Sequence, residues 1–348
     1  MRRVSEPSFF SLLHDFFLCY LPNEKKASSN TIRSYKNAML LFLDFTKNER
    51  GIKLNQITFN MIDKNLLLRF LDYLENERKC SISTRNQRLQ CIRSFYAYAA
   101  TREFLAVVYW EDIKKVESVK TPQTITSHMS EVAVSEILRQ PDIATRKGCR
   151  DQFLMLLLYQ TGARIQELLD IRLKDIRFGR ASSVILHGKG GKVRAVPLQD
   201  KTEAHLKKYI EIFHANIDSY SQEYLFFVLR NGLRKRMTED NARKLIYNYG
   251  VSARSSCHEV PENVHPHLFR HSRAMHLYQN GVDLNLISQW LGHSNLETTL
   301  IYAHADTELK RQAIAKAIPE DDLLKSHLDA ERYIVSDEET LALLCGLR

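Results

Sequence analysis

Apolar positions recur at helical spacing through most of the chain, and one short stretch breaks that pattern into paired extended runs. After the polar segment Lys25 to Asn30, Ile32, Tyr35, Met39 and Phe42 fall three to four residues apart, so a helix is expected there with Ser29 or Asn30 as its N-cap. A second helix is expected over Asp63 to Arg78. A third opens at Ser83, with Leu89, Ile92, Phe95 and Tyr96 as its apolar stripe and Arg85, Asn86 and Arg88 together on the opposite side. Val116 to Ser130 contains Pro122 among several Thr and Ser and has no period, which marks an interdomain linker. Beyond it Val132 to Arg139 and Asp151 to Gln160 read as helices; the run Phe153 to Leu158 suits only a buried one, ended by Thr161 and Gly162. Ser183 to His187 and Lys192 to Leu198 then read as two strands joined by Gly188, Lys189, Gly190 and Gly191. From Thr238 the helical pattern resumes. The expected class is mainly α with a small β-sheet (α+β): a helical domain over 1–115, a linker over 116–130, a second domain over 131–317 and a tail over 318–348.

Composition agrees with two bodies. The 348 residues exceed the roughly 250 to 300 at which one core stops growing. Hydrophobic residues at 44% with charged residues at 26% exclude disordered and collagen-like classes. No run approaches about 18 uncharged apolar residues, and Ser8 to Leu21 is interrupted by His14 and Asp15, so neither a membrane span nor a signal peptide is expected. The cysteines Cys19, Cys80, Cys91, Cys149, Cys257 and Cys345 lack CxxC spacing, which suits a reducing cytoplasm and no zinc site.

Charge changes the picture most. Residues 1–120 carry 20 Lys+Arg against 13 Asp+Glu, residues 121–317 carry 27 against 20, and residues 318–348 carry 3 against 8. Two basic bodies followed by an acidic tail point to a polyanion held by both domains, because phosphates need cations on each surface that faces them. The candidate DNA-facing residues are Arg85, Asn86 and Arg88 in the first domain. In the second they are Asn241, Arg243 and Lys244 on a helix from Thr238 to Tyr249.

Four segments of the second domain hold polar groups where a helical core would prefer none: Arg164 in TGARIQELL, Lys189 in the hairpin turn, His267 and Arg270 in HPHLFRHS, and His293 and Tyr302 in LGHSNLETTLIYAH. Together they supply what phosphodiester cleavage without a metal needs. Arg164 and Arg270 can clamp non-bridging oxygens and hold transition-state charge. Tyr302 can attack, with cationic neighbours favouring phenolate and His267 and His293 relaying its proton. Lys189 can protonate the departing 5′ oxygen.

In order and spacing this set resembles the tyrosine recombinases, or phage integrase family: 25 residues from Arg164 to Lys189, three from His267 to Arg270, 23 on to His293 and nine more to Tyr302. HLFRH, LGHS and TTLIYAH are similar to that family's motifs, and Glu167 matches the acidic position that supports the first arginine. Ala163, where many members have Leu, and the paired glycines of the hairpin are departures. The resemblance implies a helical core-binding domain and a catalytic domain forming a C-shaped clamp on duplex DNA, and a 3′-phosphotyrosyl intermediate at Tyr302 with a free 5′-hydroxyl. It also implies resealing without ATP and a homo-tetramer that synapses two sites, each built of half-sites, through a Holliday junction. No metal or cofactor is implied.

Mobile-element integration, excision or transposition is the preferred task, since residues 310–348 extend beyond what a compact dimer-resolution (Xer-like) enzyme needs. A type IB topoisomerase shares the chemistry but acts as a monomer. A non-catalytic DNA-binding protein leaves the Arg, Lys, His, Arg, His, Tyr series unexplained. A zinc hydrolase built on His265, His267 and His271 lacks the accompanying carboxylate. Ser336 to Glu339 form a capping box ahead of Leu341, Leu344 and Cys345, so a short tail helix is expected to dock on a neighbouring protomer.

Overall fold

The computed structural model describes residues 9–121, 127–293, 299–302, 311 and 342, the side chain at 189 excepted. The expected tail helix lies outside these residues. The chain divides into two compact units between positions 123 and 124.

The first unit is helical. Helix α1 (Phe9–Asp15) runs into a π-helical stretch (Phe16–Glu24), followed by α2 (Ser29–Arg50), α3 (Lys64–Asn76), α4 (Ile82–Arg102) and α5 (Ala106–Lys114). The cap of α2 is Ser28, whose hydroxyl accepts from Thr31 N at 3.2 Å, so Ser29 and Asn30 lie inside the helix. Likewise Ser81, and not Ser83, caps α4. Each helix starts in a run of hydroxyl-bearing candidates, and the one in extended backbone geometry wins. The core is aromatic: Phe9, Phe16, Phe42, Phe59, Phe70, Phe95 and Tyr96 are buried, with Phe9 edge-on to Phe59 at 4.9 Å and to Phe95 at 5.3 Å.

Arg85 departs from its expected place. It lies four residues before Leu89, on the line of the stripe that continues through Ile92, Tyr96 and Ala99, and that geometry turns it inward, to 8% exposure and an ion pair with Glu75 at 3.4 Å.

The second unit holds α6 (Glu131–Arg139), α7 (Arg146–Thr161), α8 (Ile165–Leu169), β1 (Ile176–Arg177), β2 (Ser183–His187), β3 (Val193–Pro197) and α9 (Asp200–His214). After these come β4 (Phe227–Arg230), β5 (Leu233–Arg236), α10 (Glu239–Arg254), α11 (Pro266–Gln279) and α12 (Leu284–Leu291). Strands β1, β2 and β3 form one antiparallel sheet with Val184 opposite Val196 and His187 opposite Val193. Strands β4 and β5 form a second hairpin, absent from the sequence reading. Its turn is Asn231 and Gly232, both at positive φ, which is the Asn-Gly signal for a two-residue turn. Helix α7 is central, and Phe153, Leu154, Met155, Leu157 and Leu158 are all buried as their unbroken run predicts.

Both flanks of the segment between the units are fastened. Asn86 donates from Nδ2 to Val119 O at 2.7 Å and accepts from Val119 N at 3.1 Å, while Gln90 donates to Ser118 Oγ at 3.0 Å. On the far side, Met129 N donates to the buried Ser272 Oγ of α11 at 2.8 Å.

Candidate active site

Three residues of the site come from α11. His265 caps that helix through Nδ1, and Pro266 at its first turn has no N–H to leave unpaired. Spacings of three and four then bring His267, Arg270 and His271 to one side. Arg270 is 3% exposed and donates from Nη1 to Gly162 O at 2.6 Å and from Nη2 to Leu291 O at 2.8 Å. These carbonyls end α7 and α12, so the cation sits at the negative poles of two helices. Burial, and then the charge of Arg164, lowers its guanidinium to about 10, which leaves it cationic at neutral pH. Gly162 permits the approach twice over: its φ is +59°, and a Cβ there would lie 2.8 Å from Leu291 Cδ2.

Glu167 is the second hub. Its Oε2 accepts from Arg164 N at 3.1 Å and from Arg194 Nη2 at 2.7 Å, and its Oε1 accepts from Arg164 Nη1 at 2.9 Å. Burial would raise this carboxyl, but the bonds and charge of Arg194, with those of Arg164, outweigh burial and hold it below its usual value. The hairpin turn rises beside it. Gly188 N donates to Lys192 O at 2.7 Å, Gly190 and Gly191 take positive φ, and a Cβ on Gly188 would lie 3.3 Å from Glu167 Oε1. Lys189 is the next residue along that turn.

Tyr302 is fully buried among Ala274, Met275, Ile287 and Leu291, and its hydroxyl lies 2.9 Å from His271 Nδ1. Burial pushes the phenol up to about 12 against the opposing pull of Arg270, and burial with neighbouring positive groups pushes His271 down to about 4. A neutral His271 with its proton on Nε2 can accept from the phenol. Two expectations change here: the partner is His271 and not His267 or His293, and burial outweighs the cations that were to favour phenolate.

His293 follows Gly292, the left-handed cap of α12, with its N–H on Ser288 O at 3.0 Å and its Nδ1 2.8 Å from Thr299 Oγ1. Burial first, then Arg270 and Arg164, lowers it to about 4. Partial burial, then Arg270, His265 and Arg164, holds His267 below its ordinary value. These mutual influences bring Arg164, Glu167, His267, Arg270, His293 and Tyr302 into one neighbourhood. Two members were not foreseen. His271 stands four residues after His267, the spacing of a shared helix face, and was considered only as a metal ligand. Arg194, inside a strand, carried no signal.

The DNA-facing candidates separate into two groups. Asn241, Arg243 and Lys244 are exposed on α10, and the charge of Arg243 reaches His265 and His267, so that face borders the site. In the first unit Arg85 is turned inward, Asn86 is occupied by Val119, and Arg88 Nη1 lies 3.1 Å from Cys80 Sγ. Among the described residues no group of three or more His, Cys, Asp or Glu is placed to hold a metal ion, and no helix is long and apolar enough to cross a membrane.

The Arg, Glu, His and Tyr side chains gathered in the second unit are groups that can serve phosphoryl transfer, and comparison with known proteins gives the class, a DNA strand-cleaving and rejoining enzyme. Residues 127–308 match the phage integrase family and residues 12–116 match the phage integrase SAM-like domain. A putative integrase/recombinase, y4rC of Sinorhizobium fredii, is 31% identical over 90% of this chain and 92% of its own. The tyrosine recombinase XerC of Oceanobacillus iheyensis is 29% identical over 88% and 95%. In fold the chain is similar to the Tn1549 transposon integrase solved with transposon right-end DNA, at a TM-score of 0.66 and 18% identity, over 90% of this chain and 100% of the other. The chain belongs to the phage integrase family, the tyrosine recombinases. It is a site-specific recombinase that cleaves and rejoins DNA strands.

Proposed function

We propose that Tyr302 is the nucleophile of this recombinase, acting on a phosphate held by Arg164 and Arg270. Its oxygen attacks phosphorus, the P–O5′ bond breaks, the phenolic proton passes to a histidine and the 5′ oxygen takes a proton from Lys189. The products are a 3′-phosphotyrosyl linkage and a free 5′-hydroxyl, and the reverse reaction reseals a strand with no external energy source. Glu167 keeps Arg164 in place, and His267 and His293 serve the phosphate and proton relay. The observation that carries this reading is the 2.9 Å pairing of the Tyr302 hydroxyl with His271, one residue along α11 from Arg270. His271 is thereby the first proton acceptor.

The partner is duplex DNA with paired half-sites, contacted by both units, in the cytoplasm with the nucleoid. Four protomers synapse two sites, and the segment beyond 335 docks between neighbours. Asn241, Arg243 and Lys244 contact DNA from the second unit. The task is integration, excision or transposition of a mobile element. Dimer resolution is the second reading, favoured by the 29% identity to XerC along nearly all of that protein.

Tyr302→Phe should abolish the covalent protein–DNA adduct on a nicked site in a denaturing gel, while duplex retention stays within about twofold, since no phosphate contact is removed. An adduct that survives the substitution assigns the nucleophile elsewhere.

A further inference from the structure

The geometry points to Arg194 as a positioning residue of the recombinase site, the brace that sets both the carboxylate behind Arg164 and the helix end that presents His293. This rests on the reading of Arg164 and His293 given above. Arg194 sits on β3 with its side chain 14% exposed. It makes two directed bonds in different directions: Nη2 to Glu167 Oε2 at 2.7 Å, and Nε to Trp290 O at 2.9 Å.

The second bond matters because of what adjoins it. Trp290 O and Leu291 O are consecutive carbonyls in the last turn of α12; Arg194 holds the first and Arg270 holds the second. Two residues further on stands His293. A Cβ on Gly292 would lie 2.9 Å from Arg194 Nη1, so the left-handed cap that turns the chain toward His293 is fitted against this guanidinium. The path therefore closes: Arg164 to Glu167, Glu167 to Arg194, Arg194 to the end of α12, that end to Arg270, and Arg270 back to Gly162, two residues before Arg164. Remove Arg194 and two of the proposed phosphate and proton groups lose a fixed reference. A planar fork can hold a carboxylate and a carbonyl at once, which a lysine ammonium at the same position cannot reproduce.

A brace of charge as well as of shape gives a readout that packing alone does not. Glu167 faces Arg164 from the cap of α8, Arg194 from β3, Arg270 from α11 and the glycine turn after β2. With Arg194 gone, burial acts on Glu167 with less opposition, so the carboxyl protonates at higher pH and lets go of Arg164 sooner as pH falls.

Single-turnover cleavage of a nicked duplex by the full chain tests this, with Arg194→Gln and Arg194→Lys. Both variants should slow cleavage by tenfold to a hundredfold, the order expected for small misplacement of reacting groups, with duplex affinity changed less than about twofold. Arg194→Gln should also move the acidic limb of the rate profile to higher pH, and Arg194→Lys should return that limb while staying slow. In DNA-free protein the Gly292 and His293 amides should exchange faster in both variants, with the melting transition retained. Wild-type rate and limb in Arg194→Gln, or a rate loss matched by lost affinity or lost folding, overturns the proposal. If the wild-type chain forms no adduct, the reading of the site fails by itself, and the exchange at Gly292 and His293 still decides whether Arg194 sets that turn.

Discussion

The two units bury different kinds of matter. Fourteen polar or charged residues among those described are buried, and only Thr46 and Arg85 lie in the first unit. There a lattice of aromatic rings does the packing, and helices α1 to α5 need little beyond complementary shape. The second unit buries Asp151, Glu167, Asp175, His214, Arg270 and His276 among others, each with a named partner. Replacing such pairs by packed apolar groups is often neutral or stabilising, so their presence needs a reason other than stability. For Arg270 and Glu167 the proposed chemistry supplies one: both hold groups that the reaction needs fixed in place.

If the contrast is right, the units should respond to different insults. The largest effect is expected in the aromatic core. Phe95 touches Phe9, Phe16, Phe59 and Tyr96, and Phe95→Ala should remove about 3–5 kcal/mol from the first unit. The chain's two tryptophans, Trp110 and Trp290, report one unit each. In a Trp290→Phe background the urea midpoint read from Trp110 should drop. In a Trp110→Phe background the Trp290 transition should hold. Parallel loss in both would show that the cores are not separate.

How much of this was legible without coordinates follows the same divide. The apolar period located α2, α3, α4, α6 and α7 and the β2–β3 hairpin because burial of a stripe leaves its mark residue by residue. It misplaced Arg85, since a charged residue on the apolar line was assigned by chemistry when its spacing from Leu89 already set its direction. The β4–β5 hairpin escaped although Asn231 and Gly232 announce it. The candidate site residues were read from motif and spacing, yet His271 and Arg194 were not. Their role depends on which neighbour the fold delivers: a phenol 31 positions later for one, a carboxylate and a helix end for the other. Such pairings exist only in three dimensions.

A more modest effect should appear with acid, and more strongly in the second unit. Burial lowers His271 and His293 from the ordinary 6.5 to about 4, so the unfolded chain binds these protons first. Stability from keeping them neutral is then complete above about 6.5, and is lost as pH falls toward 4. The one histidine described in the first unit, His14, is exposed. The Trp290 midpoint should therefore decline across that window further than the Trp110 midpoint. His271→Gln should flatten part of the decline, and equal slopes for the two reporters would mean that carboxylates common to both units dominate.

The smallest effect bears on Asn86 of α4, one of the residues expected to face DNA. Asn86 could read a base edge, and its position suggested so, but both ends of its amide are engaged by Val119. A donor and acceptor pair already satisfied by backbone has to be broken before DNA can use it, at about 1 kcal/mol for each bond lost. Asn86→Ala should accordingly lower affinity only a few-fold, by the same factor on target and random duplex, and should speed exchange of the Val119 amide. Lys244→Ala on exposed α10 offers the contrast, a uniform loss with the salt slope reduced by about 1. Selective loss on target with Val119 exchange unchanged would return Asn86 to base reading. Equal loss with faster exchange makes it a fastening of the segment that leads out of the first unit.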